Sequence, residues 1–146
     1  MERKPKDIFQ TGPISSEKIA ASIQNHSSKT GIGAHSIFLG QVRADDKDAS
    51  RVRAIEYTAY EEMALEKAHE IREEIFQKYA LSCMHIHHSL GEVKAGEICL
   101  FVFTSSKHRK AAMEACEELV ERIKNELPIW GKELLESEQE HWKVNS

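Results

Sequence analysis

The stretch that most constrains this chain runs from Thr104 to Glu133. It opens with Thr104-Ser105-Ser106-Lys107-His108-Arg109 and closes with Leu127-Pro128-Ile129-Trp130-Gly131-Lys132-Glu133. Between them Ala112, Ala115, Cys116, Leu119, Val120 and Ile123 recur at three-and-four spacing, the pattern of a helix buried on one side. Ser105 or Ser106 can cap its start. Pro128 pushes Leu127 away from helical angles and marks its stop. A helix this long must lie across most of a small domain, so the rest of the chain has to pack around it.

The two ends of that helix differ chemically. His108 and Arg109 fall at its start, where free backbone N–H groups and the positive dipole end attract anions. Four consecutive basic residues, Lys107 to Lys110, stand at the wrong pole of the dipole unless an anion compensates them. Lys124 lies in the last turn beside the apolar face. A lysine there is either a snorkelling side chain or, if withdrawn from water, an acid, base or nucleophile. His108 and Lys124 are separated by roughly 24 Å at the helical rise. One small ligand cannot touch both in one chain. Either there are two sites, or a symmetric dimer brings the front of one helix to the back of its mate.

Composition narrows the class. The chain has 146 residues with a net charge of −4, and is 40% hydrophobic and 30% charged. That is enough for one domain with a real core, and it favours neither a nucleic-acid nor a membrane surface. No apolar run has membrane-spanning length, and the N-terminus lacks the apolar core of a signal peptide, so a cytoplasmic protein is expected. Cys83, Cys99 and Cys116 are scattered in apolar patterns with no Cys-x-x-Cys, as for buried free thiols in a reducing compartment.

Read in order, residues 1–14 form an N-terminal segment with Ile8-Phe9 as a candidate edge strand. A helix capped by Ser15 or Ser16 runs to about Asn25. A strand over 34–43 is interrupted by Gly40, the mark of a bulge or a close backbone approach. Residues 44–50 read as a solvated, mobile loop, either a lid or a hairpin tip. Then come a strand over 51–57, an amphipathic helix over 60–79, a strand over 82–90, a turn over 91–96 and an apolar strand over 97–104. After the long helix, 130–135 and 141–144 suggest short strands. The expected fold is α+β in a single domain spanning 1–146, with largely antiparallel pairing because the middle connections are short.

Three histidines invite a metal reading. Alternation puts His85 and His87 on one strand face and His88 on the other. No third ligand stands at an evident spacing, so no metal site is assigned.

Taken together, the motifs resemble a known family. Phe38-Leu39-Gly40-Gln41-Val42-Arg43, Ile55-Glu56-Tyr57, His87 with Gly91-Glu92, Ser105 to Arg109, Lys124, Pro128 to Glu133 and Trp142 resemble the large subunit of molybdopterin synthase, the MoaE family. The likeness runs from about Gly33 to Trp142. It implies an α/β hammerhead-like fold with an additional small antiparallel sheet. It implies an enzyme that installs two sulfurs on cyclic pyranopterin monophosphate, forming the dithiolene of molybdopterin. The sulfur would arrive as a thiocarboxylate on the C-terminal Gly-Gly of a small ubiquitin-like partner of the MoaD family. The assembly would be a heterotetramer built on a homodimer of this chain, with no cofactor of its own.

Carried over position by position, Lys124 matches the family's central active-site lysine. Arg43, with the Gln41 and Val42 backbone, would hold substrate. His108 and Arg109 match the His-Arg pair of an anion site shared across the dimer. Lys132 and Glu133 match the last two positions of the Trp-Lys-basic-Glu motif. There are two departures. His88 stands where an arginine often follows the histidine, and Gly131 replaces a second active-site lysine. Either Lys132 swings into the vacant place, which would make it catalytic beside Lys124, or the pocket lacks a charge. A non-catalytic anion-binding or assembly subunit is the rival reading.

Overall fold

The structure is a computed structural model and describes residues 6–137. The strand expected over 141–144, and Trp142 with it, lie outside the described residues. Strand β1 (Phe9–Thr11) leads to helix α1 (Ser16–Asn25), β2 (Ala34–Gln41), the two-residue β3 (Asp46–Lys47) and β4 (Ser50–Ala59). Helix α2 (Glu61–Lys78), β5 (Cys83–Lys94), β6 (Ile98–Ser106), helix α3 (Arg109–Glu126) and β7 (Ile129–Leu135) follow. The order along the sheet is β2-β6-β5-β4-β3, with β1 beside β5 and β7 beside β4. Every pairing is antiparallel except β1 with β5.

Strand β5 organises this topology. Its first half pairs with β6 and its last four residues pair with β4. At Gly91 the backbone turns through a positive φ of 82°, which glycine tolerates without a Cβ penalty, and the strand changes partner there. β5 therefore runs on to Lys94, where the sequence suggested a turn from Gly91. The small antiparallel group β4–β7 with the end of β5 is the additional sheet that the resemblance implied, in an α+β chain.

Register assigns the faces. Antiparallel partners share a side, so Cys83, Ser105 and His35 form one row, with His85, Phe103 and Ile37 in the next. His88, Leu100 and Gly40 lie on the opposite face. The six apolar residues read from the helical period are the buried residues of α3. Five of them, all but Ala112, join Met84, Ile86, Leu100 and Val102 of the sheet and Ala68, Ile71 and Ile75 of α2 in the main core. A smaller core on the other face holds Ile14, Phe101 and Phe103 under Ile19 of α1. Each fully buried side chain of this kind contributes roughly 1.5–3 kcal/mol by leaving water.

Two loops come out differently from the plain reading of the sequence. The stretch 44–50 contains a tight hairpin, Asp46 opposite Arg51 and Lys47 opposite Ser50, with Asp48 at φ 54° in its turn. A short polar aspartate tolerates that angle, so a hairpin tip looks like a loop in sequence. Gly40 does sit at a bulge, where the β2–β6 register shifts between Gly40 and Gln41. The three cysteines are free and buried. Among the described residues no helix is long and apolar enough to cross a membrane.

Candidate active site

A cleft of about 460 Å³ opens where the end of β2, the end of α3 and the β4–β7 pair meet. Gln41, Val42 and Arg43 enter it from the bulged end of β2, Lys124 from the last turn of α3 and Glu133 from β7. Five of the residues singled out from sequence are thus brought together from three separate elements. The bulge bends the end of β2, and Pro128 turns the chain from α3 directly into β7.

Lys124 is exposed at the cleft and makes no hydrogen bond or ion pair with any described residue. Its ammonium acts on His88, which is buried behind the cleft and has its pKa lowered, first by burial and further by Lys124. His88 Nδ1 bonds its neighbour's carbonyl, Ser89 O, at 2.8 Å, and its ring meets Tyr57 edge-on with centroids 5.3 Å apart. Tyr57 lines the cleft, and burial together with the Cys99 thiol raises its hydroxyl well above the usual tyrosine range. The wall behind Lys124 therefore holds a phenol and an imidazole that burial keeps toward their uncharged forms, with the Cys99 sulfur donating to Gly40 O at 3.4 Å. A free ammonium against such a wall is a good partner for an anionic or acyl oxygen.

Arg43 is largely exposed and loosely paired with Asp45, Nε to Oδ1 at 3.4 Å. An exposed pair of this kind is worth about 0–1 kcal/mol, so Arg43 is readily redirected to a ligand. Glu133 sits 3.8 Å from Lys47 of the hairpin. Val42 contributes differently from the sequence expectation. Its N–H donates to Glu97 O at 3.0 Å, and its carbonyl accepts from Gly96 at 2.8 Å. Its backbone donor is spent inside the fold, so Val42 shapes the floor of the cleft and does not bind an anion through its N–H. Asp45, Tyr57 and Cys99 were not singled out by sequence as site residues. Period-two alternation in β4 was the available signal for Tyr57, since Ile55 and Tyr57 share a face.

Lys132 does not line this cleft in its own chain. β7 pairs Tyr57 with Gly131, Glu56 with Lys132 and Ile55 with Glu133. Since partners share a face, Gly131 and Glu133 look toward the cleft side and Lys132 looks away with Trp130 and Glu56. The swing of Lys132 into the place of the missing lysine would need β7 to reverse its faces. A Cβ on Gly131 would stand 2.8 Å from Ile55 Cγ2 and 3.1 Å from the Tyr57 ring, so the vacant place is filled by these two side chains. We therefore expect Lys132→Ala to lower turnover far less than Lys124→Ala, and Gly131→Lys to give no gain because Ile55 and Tyr57 must first move. Steady-state kinetics of both variants check this; equal losses in Lys132→Ala and Lys124→Ala would return Lys132 to the site.

His108 and Arg109 lie at the far end of α3. His108 is the N-cap position, without a side-chain capping bond, and the first turn holds no acidic residue. Ser106, rather than capping in the ordinary way, donates its hydroxyl to His108 O and accepts the N–H of Ala112 at 3.1 Å. Lys107 to Lys110 are all exposed, and Lys110 contacts Glu114 at 3.9 Å. The start of β2 braces this end, because Gly33 N–H donates to Ser106 O at 3.0 Å. A Cβ at Gly33 would lie 2.1 Å from Lys107 O, a clash between two backbones. Gly33→Ala is expected to cost about 1–3 kcal/mol in urea unfolding, since one backbone must retreat.

Comparison with known proteins gives a consistent result. The sequence model described as MoaE protein matches residues 9–126. A molybdopterin synthase catalytic subunit of Bacillus subtilis (strain 168) is 39% identical over 130 residues, 89% of this chain and 79% of that one. The X-ray structure of molybdopterin synthase from Staphylococcus aureus superposes with a TM-score of 0.76 at 33% identity, covering 88% of this chain and 90% of that one. A complex of subunits 1 and 2 of the molybdopterin-converting factor from Helicobacter pylori shares the fold, with a TM-score of 0.76 at 23% identity over 88% of this chain and 84% of that one.

Proposed function

Because the chain belongs to the MoaE protein family, we propose that it is the catalytic subunit of a molybdopterin synthase. It takes sulfur from the thiocarboxylated C-terminus of a small ubiquitin-like partner and places it on cyclic pyranopterin monophosphate, making the dithiolene of molybdopterin. It works in the cytoplasm, in a heterotetramer of two such chains and two small partners. The observation that carries this reading is the convergence of Lys124, Arg43, Gln41 and Glu133 on one cleft.

Each transfer forms a C–S bond to a pterin side-chain carbon while a C–O bond at that carbon breaks, the oxygen leaving as water at one carbon and as the opened end of the cyclic phosphate at the other. Water then adds to the acyl carbon, the acyl C–S bond breaks, and the partner's glycine leaves as a carboxylate. Lys124 faces the acyl oxygen, where its ammonium stabilises the oxyanion that develops and supplies or takes a proton. Arg43 leaves Asp45 to hold the substrate. Gln41 and Glu133 offer polar contacts, and Val42 closes the floor. His108 and Arg109 cannot reach this cleft along their own helix, so they serve the cleft of the dimer mate, binding phosphate or carboxylate at the start of α3. Gly131, packed by Ile55 and Tyr57, alters one wall and leaves Lys124 and Arg43 in place. That favours the enzyme over an assembly subunit without activity.

The test is direct. The purified chain, cyclic pyranopterin monophosphate and a small partner carrying a C-terminal thiocarboxylate should yield molybdopterin. If the partner binds but no product forms, the non-catalytic subunit is the correct reading.

A further inference from the structure

On the face of the sheet under α1, three side chains converge that the cleft does not use. They are Cys83 and His85, two residues apart on β5, and His26, the residue that ends α1. Their ligand atoms lie within 4.8 Å of one another, and His26 Nε2 and His85 Nε2 are 3.0 Å apart. None of the three lines the cleft. We propose that His26, Cys83 and His85 form a binding site for a zinc-class divalent metal ion, which clamps the end of α1 to β5.

The chemistry of the three groups supports this. His26 Nδ1 lies 2.7 Å from Ser22 O. A carbonyl can only accept, so the proton is on Nδ1 and the lone pair is on Nε2, facing His85. A metal-bound histidine is oriented in the same way, with its second nitrogen donating to a backbone carbonyl. The Cys83 sulfur accepts from Lys29 Nζ at 3.1 Å, which holds that sulfur at the cluster. Two imidazoles and a thiolate make a borderline-soft donor set that suits zinc, with the fourth tetrahedral position left to water. Tetrahedral zinc needs its nitrogens roughly 3.3 Å apart and nitrogen to sulfur roughly 3.6 Å, from bond lengths of about 2.0–2.1 and 2.3 Å. The present spacings need only small side-chain adjustments to meet these values.

The fold also gives such a clamp a task. No residue of α1 is fully buried, and Ile23 is 42% exposed, so α1 is lightly held. His26, by contrast, is buried against Phe103 and His85. Lys29 approaches the cluster through Cys83, and the positive charges of Lys6 and Arg72 act on His85. Cys83 supplies the one sulfur ligand of the three, the group a spectroscopic probe can report on.

The experiment uses the full chain, stripped with a chelator, and requires no catalytic assay. Zinc is titrated against a chromophoric competitor, and cobalt(II) is added separately as a spectroscopic probe. One zinc per chain is expected, with a rise of several degrees in Tm when zinc is in large excess over Kd. Cobalt should give a thiolate-to-metal absorption band. Cys83→Ser, a substitution of nearly the same size, should lose the band and the Tm rise while keeping the far-ultraviolet circular dichroism of the metal-free chain. His85→Gln should weaken zinc binding at least tenfold and serves if Cys83→Ser fails to fold. Failure of the wild-type chain to bind zinc at micromolar concentration would overturn the proposal. So would binding that persists unchanged in Cys83→Ser and His85→Gln, because the ligands would then lie elsewhere.

Discussion

Lys124→Ala lowers molybdopterin formation by at least about a hundredfold, the usual scale for losing an electrostatic or acid–base group, or about 2.7 kcal/mol in the barrier. The expectation rests on what surrounds the side chain. Lys124 ends α3 at the cleft, has no partner among the described residues, and faces Tyr57 and His88, which burial keeps toward their uncharged forms. Among the described residues, Arg43 is the one other basic side chain lining the cleft, and it is paired with Asp45. Because Lys124 is exposed, its removal should change folding stability by no more than about 0.5 kcal/mol. Turnover is measured with thiocarboxylated partner under saturating substrate, alongside urea unfolding and capture of the partner on a column. Near-normal product formation by a folded, partner-binding Lys124→Ala chain removes the residue from the mechanism.

The second large effect is a restoration. Arg109→Ala should also lose activity, by roughly tenfold or more, since a charge-assisted contact to an anion disappears. Co-expressing Lys124→Ala and Arg109→Ala chains should then recover about a quarter of wild-type activity, because a twofold dimer with shared sites places both defects in one site and leaves the other whole. Differently tagged chains allow the mixed dimer to be isolated, where the recovery should approach one half. The physical ground is the length of α3, 18 residues from Arg109 to Glu126, which holds its two charged ends apart as a rigid rod. If the mixture shows only the average of the two single variants, the sites are not shared, and His108 and Arg109 serve some other anion.

Much of this architecture could be read from the chain before folding. The helical period of α3 named the six residues that it buries, because a helix on a sheet must present one apolar stripe. Pro128 marked its end, as β7 begins at Ile129. Gly40 announced the bulge that tilts Arg43 into the cleft. The length of the helix was enough to separate His108 from Lys124. These features depend on local geometry and on the spacing of neighbours along the chain, which sequence carries directly.

Other features were decided only when distant segments met. Whether Lys132 or residue 131 faces the cleft is set by the register of β7 on β4, and a shift of one residue would exchange them. That Val42 has no free N–H depends on Glu97, 55 positions further along the chain, pairing across the bulge. In sequence, Gly131 left open whether Lys132 takes the missing lysine's place or the pocket lacks a charge; in the fold, Ile55 and Tyr57 occupy that place. The His26–Cys83–His85 cluster was invisible because its first ligand ends a helix near the N-terminus while the other two alternate on a central strand. Periodicity and local motifs belong to the sequence. Side-chain company across a sheet, and therefore the charge and ligand content of a site, belongs to register and packing, which only the assembled tertiary structure supplies.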